Sequence, residues 1–182
     1  MKPEKIYLLP GRGRALDEGL GAELLRRGFN VEGRALVDDF GKLFYPQQID
    51  IIQADLVRIN SPEAKLIAIS FGAYLYLQAQ IGLPAFRGKV LLLSPIVGKA
   101  THSQLGKIFI PPQSDRIKNC VKEGQFPLPK RFEIHLGSQD WQCPNDQMKE
   151  IASYLDIPLH IVEGAGHRLE NEYVKKILEK WL

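Results

Sequence analysis

A chain of 182 residues, 45% of them hydrophobic, has the length and apolar content of one globular domain. Its net charge of +3 is scattered, and the densest cluster, GRGR at residues 11–14, is too short for a nucleic-acid footprint, so no nucleic-acid partner is expected. No apolar run approaches the roughly 18 residues of a membrane span, which argues against membrane insertion.

The first residues, MKPEKIYLLPGRG, hold only the short apolar run IYLL before Pro10. A secretory signal needs roughly 7–15 apolar residues and a small-residue cleavage site. Cys120 and Cys143 make neither a metal-type pair nor a disulfide framework, so a reducing cytoplasm is the expected location.

Along the chain, short apolar runs alternate with helical patterns. The runs are IYLLP (6–10), FNVEGRAL (29–36), KLIAIS (65–70), KVLLLS (89–94), FEIHLG (132–137) and LHIVEG (159–164). Such alternation predicts an α/β fold, with a mostly parallel sheet of about six strands and helices on both faces. Several runs are apolar without a period of two, as expected for strands covered on both sides. FEIHLG does alternate, which places it nearer an edge.

Between the runs, Leu16, Leu20 and Leu24 recur at helical spacing, with Asp17 and Glu18 expected in the first turn. AYLYLQAQI, after Gly72, is apolar nearly all round and reads as a helix buried behind a central strand. Asn145 and Asp146 are positioned to cap a helix through MKEIASYL. A final helix places Leu169, Tyr173, Ile177 and Trp181 on one face. Residues 96–131, with Pro111, Pro112, Pro127 and Pro129, are long for an ordinary connection and read as a short lid or rim within a single domain spanning 1–182.

Three polar residues fall just past three predicted strands. Ser70 ends KLIAIS and is followed by Phe71 and Gly72, the small-residue setting of a nucleophile elbow. The alternative is a strand-end serine before a turn. Asp140 follows FEIHLG, where an Asx-turn is the commoner fate of a loop aspartate. His167 lies between Gly166 and the last helix, in a loop flexible enough to turn an imidazole across the sheet edge. His135 and His160 fall inside strands and read as packed or surface histidines; His102 has no obvious partner. Serine, aspartate and histidine in that chain order, each beyond its own strand, are the arrangement of a hydrolytic triad on a parallel sheet.

On these residues the chain resembles the α/β-hydrolase family along nearly its whole length. IYLLPGRG is similar to the family's first strand and oxyanion loop, AISFGA to its elbow, GSQDWQCP to its acid segment and GAGH to its histidine loop. Two departures stand out: Pro10 where many members have histidine, and Ala68 in place of the elbow's first glycine. The absence of a large cap between LLLSP and FEIHLG resembles a small, compact member.

The resemblance implies a nucleophile at Ser70, a general base at His167 and an orienting acid at Asp140. It implies oxyanion donors at the Phe71 and Arg12 amides, and no metal or organic cofactor. The expected partner is a small-molecule substrate, a carboxyl ester or thioester. Arg14 and the apolar Ile108 and Phe109 are candidate substrate contacts, alongside Leu105 and Ile110. A catalytically silent binding protein and an acyltransferase using the same triad stay open, as does the oligomeric state. A nucleotide site does not fit: Leu16 stands where the dinucleotide fingerprint needs glycine, and no G-K-[ST] follows the glycines.

Overall fold

Each of the six apolar runs forms a strand in a computed structural model that describes residues 3–182. In chain order the elements are β1 (Lys5–Leu9), α1 (Leu20–Arg26), β2 (Asn30–Gly33), α2 (Asp38–Lys42), α3 (Tyr45–Ile59), β3 (Lys65–Ile69) and α4 (Phe71–Gln80). Next come β4 (Lys89–Leu93), β5 (Ala100–His102), β6 (Lys107–Phe109), α5 (Arg116–Lys122), β7 (Arg131–Gly137), α6 (Asn145–Leu155), β8 (Leu159–Val162) and α7 (Asn171–Trp181). The six-stranded sheet has the order β2-β1-β3-β4-β7-β8, and every pair in it is parallel.

Successive residues of a strand point to opposite faces, and the two cores follow that rule. Tyr7, Leu9, Leu66, Ala68, Val90, Leu92, Ile134 and Leu136 pack with α3, α4, α5 and α6. Ile6, Leu8, Ile67, Leu91 and Leu93 pack on the other face with Leu24 of α1 and with Ile177, Leu178 and Trp181 of α7. The alternation in FEIHLG has a related cause. Its apolar residues face α6, while Glu133 and His135 point to the side that carries only α1 and α7. β7 is next to the edge strand β8.

The helix after Ser70 is buried at all ten positions, as its all-round apolar sequence predicts. Two expected details differ. α1 starts only at Leu20, because Gly19 at φ 51° turns the chain first, so Asp17 and Glu18 lie before the helix. Asn145 does not cap α6 with its side chain: its Nδ2 donates to the Gly137 and Ser138 carbonyls instead.

Residues 96–131 contain more regular structure than their prolines suggest. β5 and β6 form an antiparallel hairpin, and α5 joins the layer that covers α4 and α6. The Tyr74 hydroxyl donates to the Pro112 carbonyl, and Gln78 Nε2 donates to the Gln113 carbonyl at 3.2 Å, which fixes the approach to α5 on the buried helix. Among the described residues no helix is long and apolar enough to cross a membrane.

Candidate active site

Strand order alone marks the place for a site. The chain runs from β1 outward to β2, then returns to β3 on the other side of β1, so a crevice opens at the carboxyl ends of β1 and β3. Ser70 stands at the end of β3, and the turn holding Gly11 and Arg12 follows β1. A Cβ added at Gly11 would lie 3.7 Å from the Ser70 Cβ, and one at Gly72 would lie 2.3 Å from the Pro10 carbonyl oxygen. The glycine after the elbow is therefore what lets α4 start hard against the loop from β1.

Ser70 has φ 51° and ψ −117°, a backbone state that suits glycine. Its N–H donates to the Leu93 carbonyl at 3.0 Å, and its carbonyl accepts from Tyr74 and Ile96. These bonds hold the strained turn, whose cost is about 1–3 kcal/mol. Ser70→Gly is accordingly expected to raise folding stability by about 1 kcal/mol, read by urea unfolding, while removing the hydroxyl.

The hydroxyl oxygen of Ser70 lies 2.7 Å from His167 Nε2. His167 Nδ1 lies 2.9 Å and 2.8 Å from the two carboxylate oxygens of Asp140. Asp140 is buried, and its Oδ1 also accepts the Gln142 and Cys143 amide protons at 3.0 Å and 3.2 Å. Asp140 thus makes the expected Asx-type turn and holds the histidine at the same time. A carboxylate accepts only, so Nδ1 carries the proton and Nε2 of the neutral ring faces the serine hydroxyl as an acceptor.

The histidine loop is seated by Gly137, which the sequence reading placed at the end of FEIHLG and the start of GSQDWQCP without giving it a role. A Cβ there would come 2.1 Å from the Ala165 carbonyl oxygen and 2.3 Å from that of Gly166. Gly137→Ala must push this loop, and His167 with it, off the serine. A displacement of about 1 Å at such a site costs about 100-fold in rate, so the reaction of Ser70 with a fluorophosphonate probe is expected to slow by that factor.

Ser70 and His167 open into a cavity of about 760 Å³ that runs beneath α1 and α7, past Leu20, Val174 and Leu178. Arg12 and Arg14 line it as well; the Arg12 guanidinium lies 4.3 Å over the Phe71 ring, and Arg14 is 3.7 Å from Glu18. Ile108 and Phe109 do not line this cavity. Alternation in β6 turns Phe109 onto the main core and leaves Ile108 exposed with Leu105 and Ile110. Sequence reasoning missed Ser94, which ends β4 at φ 46° as Ser70 ends β3. Its buried hydroxyl lines the cavity without a hydrogen-bond partner among the described residues.

This arrangement is the α/β-hydrolase fold, here without a large cap. No protein-family model matches the chain, and no curated protein matches it in sequence. Several solved structures match it over almost their whole length. The ydeN gene product of Bacillus subtilis is 16% identical with a TM-score of 0.66, over 98% of each chain. The monoacylglycerol lipase of Paleococcus ferrophilus is 15% identical with a TM-score of 0.71, over 99% of this chain and 95% of that one. A carboxylesterase structure from the thaumarchaeon Nitrososphaera gargenis is 12% identical with a TM-score of 0.63, over 99% and 90%.

Proposed function

We propose that this protein is a serine hydrolase that cleaves a carboxyl ester or thioester of a small substrate. The observation that carries this reading is the continuous hydrogen-bonded path from Ser70 through His167 to a buried Asp140, at the crevice where the sheet reverses its winding. The esterase and lipase activities named for the matched structures support the same class.

In this mechanism the Ser70 oxygen attacks the substrate carbonyl as His167 Nε2 takes its proton. Asp140 keeps the ring in the reactive tautomer and stabilises the imidazolium that forms. The Phe71 amide, first in α4 and without an intrahelical acceptor, donates to the tetrahedral oxyanion together with the Arg12 amide. Each such donor contributes about 3 kcal/mol to the transition state. His167 then returns its proton to the departing alcohol or thiol, and water repeats the sequence to release the acid.

The walls formed by Leu20, Val174 and Leu178 suit an acyl or alkyl chain, and Arg12 and Arg14 at the mouth suit an anionic substituent. The chain acts as one domain, with the hairpin and α5 of residues 96–131 as a rim: His102 stands edge-on to Trp141, beside the acid loop, with ring centroids 5.6 Å apart. The buried free thiols of Cys120 and Cys143 fit a reducing cytoplasm. The test is a series of aryl esters and acyl thioesters of graded chain length. The reading expects turnover with an initial burst from the acyl-enzyme, and it fails if the folded protein turns over none of them.

A further inference from the structure

Away from the proposed catalytic residues, on the face covered by α7, two histidines and a glutamate converge. His135 of β7 and His160 of β8 are directly paired across the strands, and their rings stack with centroids 4.3 Å apart and planes 12° from parallel. Glu133, two residues before His135 on the same face of β7, brings Oε1 to 2.7 Å from His135 Nε2 and 3.9 Å from His160 Nε2. One ligand atom from each of the three lies within 4.8 Å of the others. The cluster runs from a buried His135 to a half-exposed His160, so it opens to solvent on one side.

We propose that Glu133, His135 and His160 form a binding site for a divalent zinc-like cation. Two ligand atoms about 2.0–2.1 Å from a tetrahedral zinc stand about 3.3 Å apart. The observed 2.7 Å and 3.9 Å bracket that separation for the two glutamate–histidine pairs, and the half-exposed His160 ring turns out of its stack on His135 to bring its nitrogen lone pair onto the same ion. A hydrogen bond accounts for the shorter contact alone. The His160 Nε2 lies 3.9 Å from the same oxygen, beyond hydrogen-bond range, and a cation between the two satisfies both. Two imidazoles and a carboxylate are a ligand set that zinc accepts, with water from the open side as the fourth ligand.

The surroundings provide an outer partner as well. His135 Nδ1 lies 2.9 Å from the Tyr173 hydroxyl of α7. Without metal, the Nε2 proton of His135 goes to Glu133 and Tyr173 donates to Nδ1. With metal on Nε2, the ring proton sits on Nδ1 and is donated to the Tyr173 oxygen, the outer bond that orients a metal-ligating imidazole. Tyr173 is a positioning residue in this scheme. Only α1 and α7 cover this face; His135 is buried there beside Tyr173, while the edge position of β8 leaves His160 half-exposed.

Calorimetric titration of the untagged, chelator-treated full chain with zinc chloride tests the proposal. One equivalent is expected to bind. Glu133→Gln and His160→Ala are each expected to weaken binding by more than about 100-fold, and Tyr173→Phe by about 10-fold, as for loss of an outer partner. Glu133 and His160 are partly exposed, so both variants should fold, which circular dichroism verifies. His167→Ala, which removes the other histidine–carboxylate pair among the described residues, is expected to leave affinity unchanged. The proposal is overturned if the protein binds no stoichiometric zinc. It is equally overturned if both Glu133→Gln and His160→Ala bind as the parent does, or if His167→Ala abolishes binding.

Discussion

Ser70→Ala is expected to lower kcat/KM for an activated ester by at least about 10⁴-fold, with the fold unchanged. The hydroxyl is the only atom removed, and alanine retains the backbone bonds to Leu93, Tyr74 and Ile96 that hold the turn. His167→Ala is expected to cost a similar factor, and the double variant little more, because the two residues act as one unit. Asp140→Asn is the more discriminating change. An asparagine Oδ1 still accepts the Gln142 and Cys143 amide protons, so the acid loop is preserved. Its amide, however, donates toward His167 Nδ1 and selects the ring tautomer that points a proton at the serine. A loss of about 10⁴-fold in kcat is expected, with secondary structure and unfolding midpoint near those of the parent. Steady-state kinetics on one aryl ester, beside far-ultraviolet circular dichroism, checks all three.

Asp55→Ala is expected to give the largest loss of stability, about 3 kcal/mol by urea unfolding. Asp55, on α3, is buried and accepts three short hydrogen bonds from two residues. Tyr7 of β1 donates its hydroxyl at 2.6 Å, and Arg34, just past β2, donates from Nε and Nη2 at 2.6 Å and 2.9 Å. Removing the carboxylate leaves the Tyr7 hydroxyl buried without its acceptor and the guanidinium without its fork. Burial raises the Asp55 pKa, but the bonds from Arg34 and Tyr7 outweigh it and hold the carboxyl below its ordinary value. A carboxyl depressed in the folded state stabilises the protein above its unfolded pKa, about 3.9, and loses that contribution as pH falls through the folded value. The gap between parent and Asp55→Ala is therefore expected to be constant near neutrality and to narrow below about pH 4.

How far these features could be read in advance depended on whether their cause is local. The strands were legible because a strand covered on both faces leaves an unbroken apolar run, as in KLIAI and KVLLL. The order Ser70, Asp140, His167 was legible because parallel strands deliver successive loops to one edge. α3 was read only as helical pattern between two strands, with no face assigned, although Ile49, Ile52 and Leu56 carry its buried stripe. Asp55 went unnoticed with it, since its partners Tyr7 and Arg34 lie 48 and 21 residues away. The cap assigned to Asn145 failed for a different reason: its side chain answers carbonyls seven and eight residues back, at the end of β7, across a turn that helical spacing does not show.

Distances between remote segments decided the rest. Nothing near Gly137 in the sequence announces that the Ala165 and Gly166 carbonyls will press on it. Likewise, His135 and His160 read as ordinary strand histidines, and only the β7–β8 register sets them opposite each other. The hairpin of β5 and β6 has strands of three residues, too short for a period of two to declare itself, and so Ile108 and Phe109 looked like neighbours of the substrate. Alternation instead sends one to solvent and the other to the core.

The most direct test of the central claim is intact-mass and peptide analysis of the full chain after exposure to a fluorophosphonate probe. An activated Ser70 predicts a single adduct mapped to that residue, absent from Ser70→Ala and strongly reduced in His167→Ala when both variants are folded. A folded parent that takes no label, or takes it on a residue other than Ser70, would contradict it.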